Sequence, residues 1–139
     1  MYLLDTDVVS ALRRPERNVV VSEWLRNQTS SCLHISVITV GEILHGIARQ
    51  RRSQPEFAAQ LERWLESVMT LFGHRVLVFD EAAARHWGLL HAELGFTNSD
   101  LLIAAIAWTQ GFTVVTRNVR DFDRTGVPVL NPFTPDSGA

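Results

Sequence analysis

Short apolar runs alternate with longer stretches of helical periodicity along this chain. Tyr2, Leu3 and Leu4 form an apolar run that stops on Asp5-Thr6-Asp7. The pattern predicts a buried strand, then a short helix carrying Val8, Val9, Ala11 and Leu12, with Asp7 as its N-cap and Pro15 as its end. A second helix is predicted over 19–27, turning Trp24 and Leu25 inward, and a strand over 33–35. Ser36 is placed to cap the longest helical pattern, 37–52, in which Val37, Val40, Ile43, Leu44 and Ile47 recur at helical spacing. At about 100° per residue Glu42 falls on another face, together with Ile38, His45, Gly46 and Arg49.

Pro55 suits the first position of a further helix, 55–71, whose buried stripe is Leu61, Trp64, Leu65 and Val68 and whose stop is Gly73. A third strand follows over 75–79. Asp80 caps a helix over 81–94 that Gly95 ends. Asn98 or Ser99 caps a helix over 101–108 that is apolar nearly all round, which marks it as buried. The strand 112–116 leads into a polar turn, 117–121. A short last strand over 127–130 contains Pro128, which assigns it to a sheet edge. Strands alternating with helices imply an α/β sandwich with a mostly parallel central sheet. One domain is expected over 1–133, followed by a flexible tail, 134–139. Ligands of such sheets bind beyond the carboxyl ends of the strands, where Asp5, Asp7 and the turn after residue 116 fall.

At 139 residues, with 46% hydrophobic and 20% charged positions, the chain can build one core and is not disordered. No apolar run approaches the roughly 20 residues of a membrane span. A basic region followed by an apolar stretch is also missing from the start, so the expected location is the cytoplasm. Cys32 is the single cysteine, which excludes an intrachain disulfide and a thiolate metal cluster. A net charge of −2 does not advertise a nucleic-acid binder. Yet all 13 Lys and Arg positions are arginine. Arginine clamps phosphate but cannot replace a catalytic lysine.

Four carboxylates fall at a strand end or early in the element that follows: Asp5, Glu42, Asp100 and Asp121. Asp100 also suits a helix dipole, Glu42 a solvated face and Asp121 a turn. Asp5 ends an apolar strand with no basic neighbour in sequence, and an unpaired buried carboxylate costs several kcal/mol (roughly). If the four converge, their repulsion raises at least one pKa, and a hard divalent cation relieves it. Magnesium or manganese suits oxygen donors, whereas neither the cysteine nor the histidine spacing suits zinc. His34 and His45 read as ordinary strand and helix residues.

The segments L-L-D-T-D-V-V, T-V-G-E-I-L-H-G, S-D-L-L-I-A-A-I-A and T-V-V-T-R-N-V-R-D-F, taken in order, resemble the PIN-domain nucleases. More narrowly, the chain is similar to the VapC and FitB-like toxins of bacterial toxin–antitoxin pairs. The resemblance implies a PIN-like fold in which Asp5, Glu42 and Asp100 bind one or two magnesium or manganese ions. For the fourth acid, the position that some members fill with aspartate is Asn118 here, so Asp121 takes that role with Thr116 and Asn118 as polar support and Asp123 as a weaker substitute. Gly46 would leave room beside the metal. The implied reaction is hydrolysis of an RNA phosphodiester by a metal-activated water.

Arginines are the expected phosphate contacts, from Arg13, Arg14 and Arg17, from Arg49, Arg51 and Arg52, and from Arg117, Arg120 and Arg124. Arg117 and Arg120 come first because they flank the acidic turn. The resemblance further implies a homodimer and a small antitoxin that blocks the acidic site and carries the assembly to operator DNA. Trp24, Trp64 and Trp87 read as core. Two rivals remain open at this level. Asp5-Thr6-Asp7-Val8-Val9 also satisfies the D-x-D-x-V opening of haloacid-dehalogenase-like phosphatases, which ordinarily add a lysine and a late acidic pair that this chain lacks. Asn118 favours a binding module that kept the fold and lost catalysis.

Overall fold

The structure is a computed structural model describing residues 1–135, so most of the expected tail, 134–139, lies outside the described residues. Five strands, β1 (Tyr2–Leu4), β2 (Leu33–Ser36), β3 (Val76–Leu77), β4 (Thr113–Val115) and β5 (Val129–Leu130), form one sheet in the order β3-β2-β1-β4-β5. Every pairing is parallel, with Leu3 opposite His34 and Leu4 opposite Val115. Among the described residues seven α-helices connect them: α1 (Thr6–Ala11), α2 (Val19–Arg26), α3 (Val37–Arg51), α4 (Pro55–Phe72), α5 (Glu81–Leu94), α6 (Ser99–Gln110) and α7 (Val119–Asp123).

A central parallel strand is covered on both faces, which is why β1 is apolar at successive positions rather than alternating. Leu3 joins Val114 in a core with α5, α6 and Phe122, while Leu4 joins Ile35 and Val115 in a second core with α1, α2 and α4. Helix α6 buries Leu101 and the run from Ile103 to Ala107, and leaves only its end, at Trp108, exposed. Trp24, Trp64 and Trp87 all pack against these cores. Ser36, Asp80 and Asn98 cap α3, α5 and α6 through bonds to the backbone of Thr39, Ala83 and Leu101. Gly95 stops α5 at a φ of 78°, a left-handed conformation that glycine adopts without strain. Among the described residues no helix is long and apolar enough to cross a membrane.

Three local expectations shift. Strand β3 is two residues long because Arg75 is drawn into a 3-10 turn, Gly73–Arg75, where its guanidinium donates to the carbonyls of Ser30, Leu33 and Leu71. Strand β5 is also shorter; Pro128 precedes it, contributes its carbonyl to Val114 N–H, and lies at the sheet edge as expected. On α3, Val37 and Leu44 are exposed, while Thr39 and Ile47 are buried. The helix packs against α4 through Ile43 and Ile47, which form a small cluster with Ala58 and Leu65. That contact sets the rotation of the helix, and periodicity alone cannot.

Candidate active site

Asp5 follows β1 and is 6% exposed. Its backbone N–H continues the ladder to Val115 O at 2.9 Å, so the sheet itself fixes where the side chain starts. The N-cap of α1 is Asp5, not Asp7: Asp5 Oδ1 accepts from Thr6 N–H at 2.8 Å. Its other oxygen, Oδ2, accepts from the Thr116 hydroxyl at 2.8 Å. Burial pushes the Asp5 carboxyl up to about 7. The Thr116 hydrogen bond opposes this, Asp7 adds to it, the Thr6 N–H opposes it, and Asp100 adds again.

Asp7 lies in the first turn of α1 and reaches across to the turn that follows β4 instead of capping its own helix. Oδ2 accepts from Arg117 N–H at 3.0 Å and lies 3.5 Å from the Thr116 hydroxyl. Oδ1 is buried and has no hydrogen-bond partner among the described residues. Burial raises the Asp7 pKa, against the stabilising Arg117 N–H. Thr116 itself is fully buried, and its hydroxyl oxygen also accepts from Asn118 N–H at 2.9 Å. Asn118 thus supports the turn through its backbone; its side chain makes no cap bond to α7.

Glu42 stands on the exposed face of α3, in the company of His45, Gly46 and Arg49. Both of its oxygens are held. Oε1 accepts from the Thr6 hydroxyl at 2.6 Å and Oε2 from the Ser99 hydroxyl at 2.9 Å. The Thr6 and Thr39 hydroxyls are also 3.0 Å apart. The sequence offers no role for Thr6 or Thr39, and offers Ser99 only as an alternative helix cap, a place that Asn98 takes. Thr6 and Ser99 each adjoin an acid in the chain, which is the one signal that could have found them.

Asp100 occupies the first turn of α6. Its pKa is raised first by burial and then by Asp121, Glu42 and Asp7, so the separate segments do feel one another's charge. Asp121, in the first turn of α7, has Arg124 Nη2 at 3.8 Å from Oδ1. Asp123 lies exposed further along α7. Gly46 lines a groove of about 340 Å³ that also touches Thr6, Arg13, Glu42 and Phe57, and an added Cβ there would meet nothing within 4 Å. Of the arginines, Arg51 pairs with Glu62 and Arg124 with Asp121, Arg13 lies over Phe57, and Arg117 lies over the Phe133 ring at 3.9 Å. Arg120 is exposed on α7.

A hard divalent cation fits this set in chemistry: every donor is an oxygen, Asp7 Oδ1 is buried without a hydrogen-bond partner among the described residues, and the pKa values of Asp5, Asp7 and Asp100 are raised. The side chains do not form a closed cage. Among the described residues no three His, Cys, Asp or Glu side chains make a group that could hold a metal ion as placed.

Residues 2–128 match the PIN domain. The plasmid stability protein StbB of Pseudomonas syringae pv. tomato is 37% identical, over 96% of this chain and 99% of that protein. The VapC ribonuclease Y4jK of Sinorhizobium fredii is 33% identical over 97% and 99%. The toxin FitB of Neisseria gonorrhoeae is 34% identical over 96% and 99%. The structure of FitAB bound to an IR36 DNA fragment superposes with a TM-score of 0.85 at 32% identity, over 100% of both chains. These matches, with the missing lysine, set aside the phosphatase reading of Asp5 and Asp7. Sequence and fold agree over nearly the whole length, and the chain belongs to the PIN domain family.

Proposed function

We propose that this chain is the toxin of a type II toxin–antitoxin pair and acts as a divalent-metal-dependent endoribonuclease. The observation that carries the reading is geometric: Asp5 is buried at the end of β1 with Oδ2 held by the Thr116 hydroxyl, and Glu42 of α3 is held by hydroxyls from α1 and α6. Asp5, Glu42, Asp100 and Asp121 would hold magnesium or manganese. Such an ion, when bound, lowers the pKa of a water and neutralises charge on a phosphoryl group. The protein's own groups do the placing. Thr116 donates to Asp5 and thereby favours its ionised form; Thr6 and Ser99 aim Glu42; Asp7 ties the Arg117 backbone to α1. Arg117 and Arg120 flank the acidic turn and neutralise RNA phosphates.

The likeness to a toxin, to a ribonuclease and to a DNA-bound FitAB assembly supports RNA as substrate and a cognate antitoxin as partner, one that carries the complex to operator DNA. The same reading includes a homodimer and a cytoplasmic site of action. RNA cleavage by the isolated chain that EDTA abolishes and manganese restores is the expected result. Asp5→Asn and Asp100→Asn should fold and lack that activity; full activity in both overturns the assignment.

A second reading, a PIN-fold binding module acting through its antitoxin, draws on Asn118 and on the open arrangement of the acids. Inactivity of the isolated chain under all divalent ions would favour it. Cleavage would exclude it.

A further inference from the structure

A second groove, also of about 340 Å³, is lined by Arg17, Asn18, Val19, Val20, Arg117 and Phe133. Its position relative to the acids is fixed by Arg117. That residue follows Thr116, the donor to Asp5, and its own N–H is bonded to Asp7. The Arg117 guanidinium sits over the Phe133 ring at 3.9 Å. Such a contact orders a long side chain through its π face and leaves its in-plane N–H donors available to an anion. Among the described residues neither Arg17 nor Arg117 comes within ion-pair distance of a carboxylate, whereas Arg51, Arg85 and Arg124 do, although the Arg117 charge is near enough to favour the ionised form of Asp7. Val19 and Val20, at the start of α2, are 54% and 38% exposed, an apolar surface that the fold leaves uncovered.

We propose that this groove is a nucleotide subsite for the RNA strand, distinct from the acids: Arg17 and Arg117 take a phosphate and Val19 and Val20 take the adjoining nucleoside. The inference rests on the ribonuclease reading, because the strand whose phosphodiester lies at Asp5 has Arg117 as its neighbour on this side. Two neighbouring arginines suit a backbone phosphate, and the exposed valines give the adjoining nucleoside an apolar surface for contact, not an aromatic platform for stacking. An acidic, amphipathic protein segment is the competing occupant, and the binding test separates it from RNA.

The test is equilibrium binding of a fluorescein-labelled single-stranded RNA of mixed sequence, in EDTA so that nothing is cut, across a range of salt. Arg17→Gln and Arg117→Gln should each weaken binding several-fold and reduce the salt slope by about 1. Val20→Asp should weaken it further, and Arg63→Gln, on α4, should leave it unchanged. Thermal melting confirms folding, and Arg17→Gln stands as the informative variant should loss of the Phe133 contact disturb Arg117. Unchanged affinity and slope in both arginine variants overturn the subsite, as does weakened binding of a labelled poly-glutamate peptide with RNA binding intact. If wild type cuts RNA with manganese while the variants bind as before, only the groove assignment falls. If wild type neither cuts nor binds RNA, the ribonuclease reading falls with it.

Discussion

The Thr6 hydroxyl donates to Glu42 Oε1 at 2.6 Å, joining the first residue of α1 to the middle of α3, and Ser99 at the start of α6 holds the other oxygen at 2.9 Å. Three segments therefore agree on one carboxylate orientation. Thr6→Val keeps the shape and removes the donor. Cleavage by this variant should fall in kcat/KM by roughly 10- to 100-fold, the scale of a hydrogen bond to a charged group. Thr6→Ser should return it to within a few-fold of wild type. Equal activity in all three proteins would show that Glu42 needs no such support.

Asp7 serves the site as an acceptor for Arg117 N–H, a role that does not require charge. Asp7→Asn should preserve that bond, melt near wild type and retain cleavage. It also removes one of the charges that raise the Asp5 pKa. Asp7→Ala should lose about 1–3 kcal/mol of stability, together with activity. A fully inactive but stable Asp7→Asn protein would instead make Asp7 a ligand in its own right.

Stability without divalent ions should depend on pH through Asp5. Its pKa rises from 3.8 to about 7 on folding, so the folded state favours the protonated acid. The contribution is present in full below about pH 4 and is lost as pH climbs through 7. The loss amounts to at most about 4 kcal/mol. His34, whose pKa burial lowers from 6.5, works in the opposite direction: its contribution is present above that pH and is lost as pH falls through its lowered value. Urea unfolding in EDTA should show Asp5→Asn gaining on wild type between about pH 4 and pH 7. Manganese should restore stability to wild type only. Parallel pH curves for the two proteins would refute this account of Asp5.

Arg75 closes the turn before β3 by donating to three carbonyls, at 2.6, 2.8 and 2.9 Å, and lies over the Phe72 ring. A lysine has one nitrogen and cannot reach all three acceptors. Arg75→Lys should lower stability by about 1–3 kcal/mol, with RNA cleavage unchanged at temperatures where it stays folded. A melt identical to wild type would show that water satisfies these carbonyls equally well.

Much of this molecule is legible in its residues alone. Leu3 and Leu4 in succession require a strand covered on both faces, Ser36, Asp80 and the pair Asn98-Ser99 announce helix starts, and Pro128 marks an edge, because each effect acts within a few residues. The candidate acids are legible for a related reason: a carboxylate at the end of an apolar strand is costly wherever the rest of the chain goes. The tertiary structure alone decided which of the two opening aspartates caps α1 and which crosses to Arg117. It also gave Glu42 its two hydroxyl donors, turned Val37 and Leu44 outward, and laid Phe133 under Arg117. Helical periodicity fixes the faces of a helix relative to one another and not which face meets a neighbour. That choice, and every contact across tens of residues that follows from it, is made by sheet register and by how helices pack.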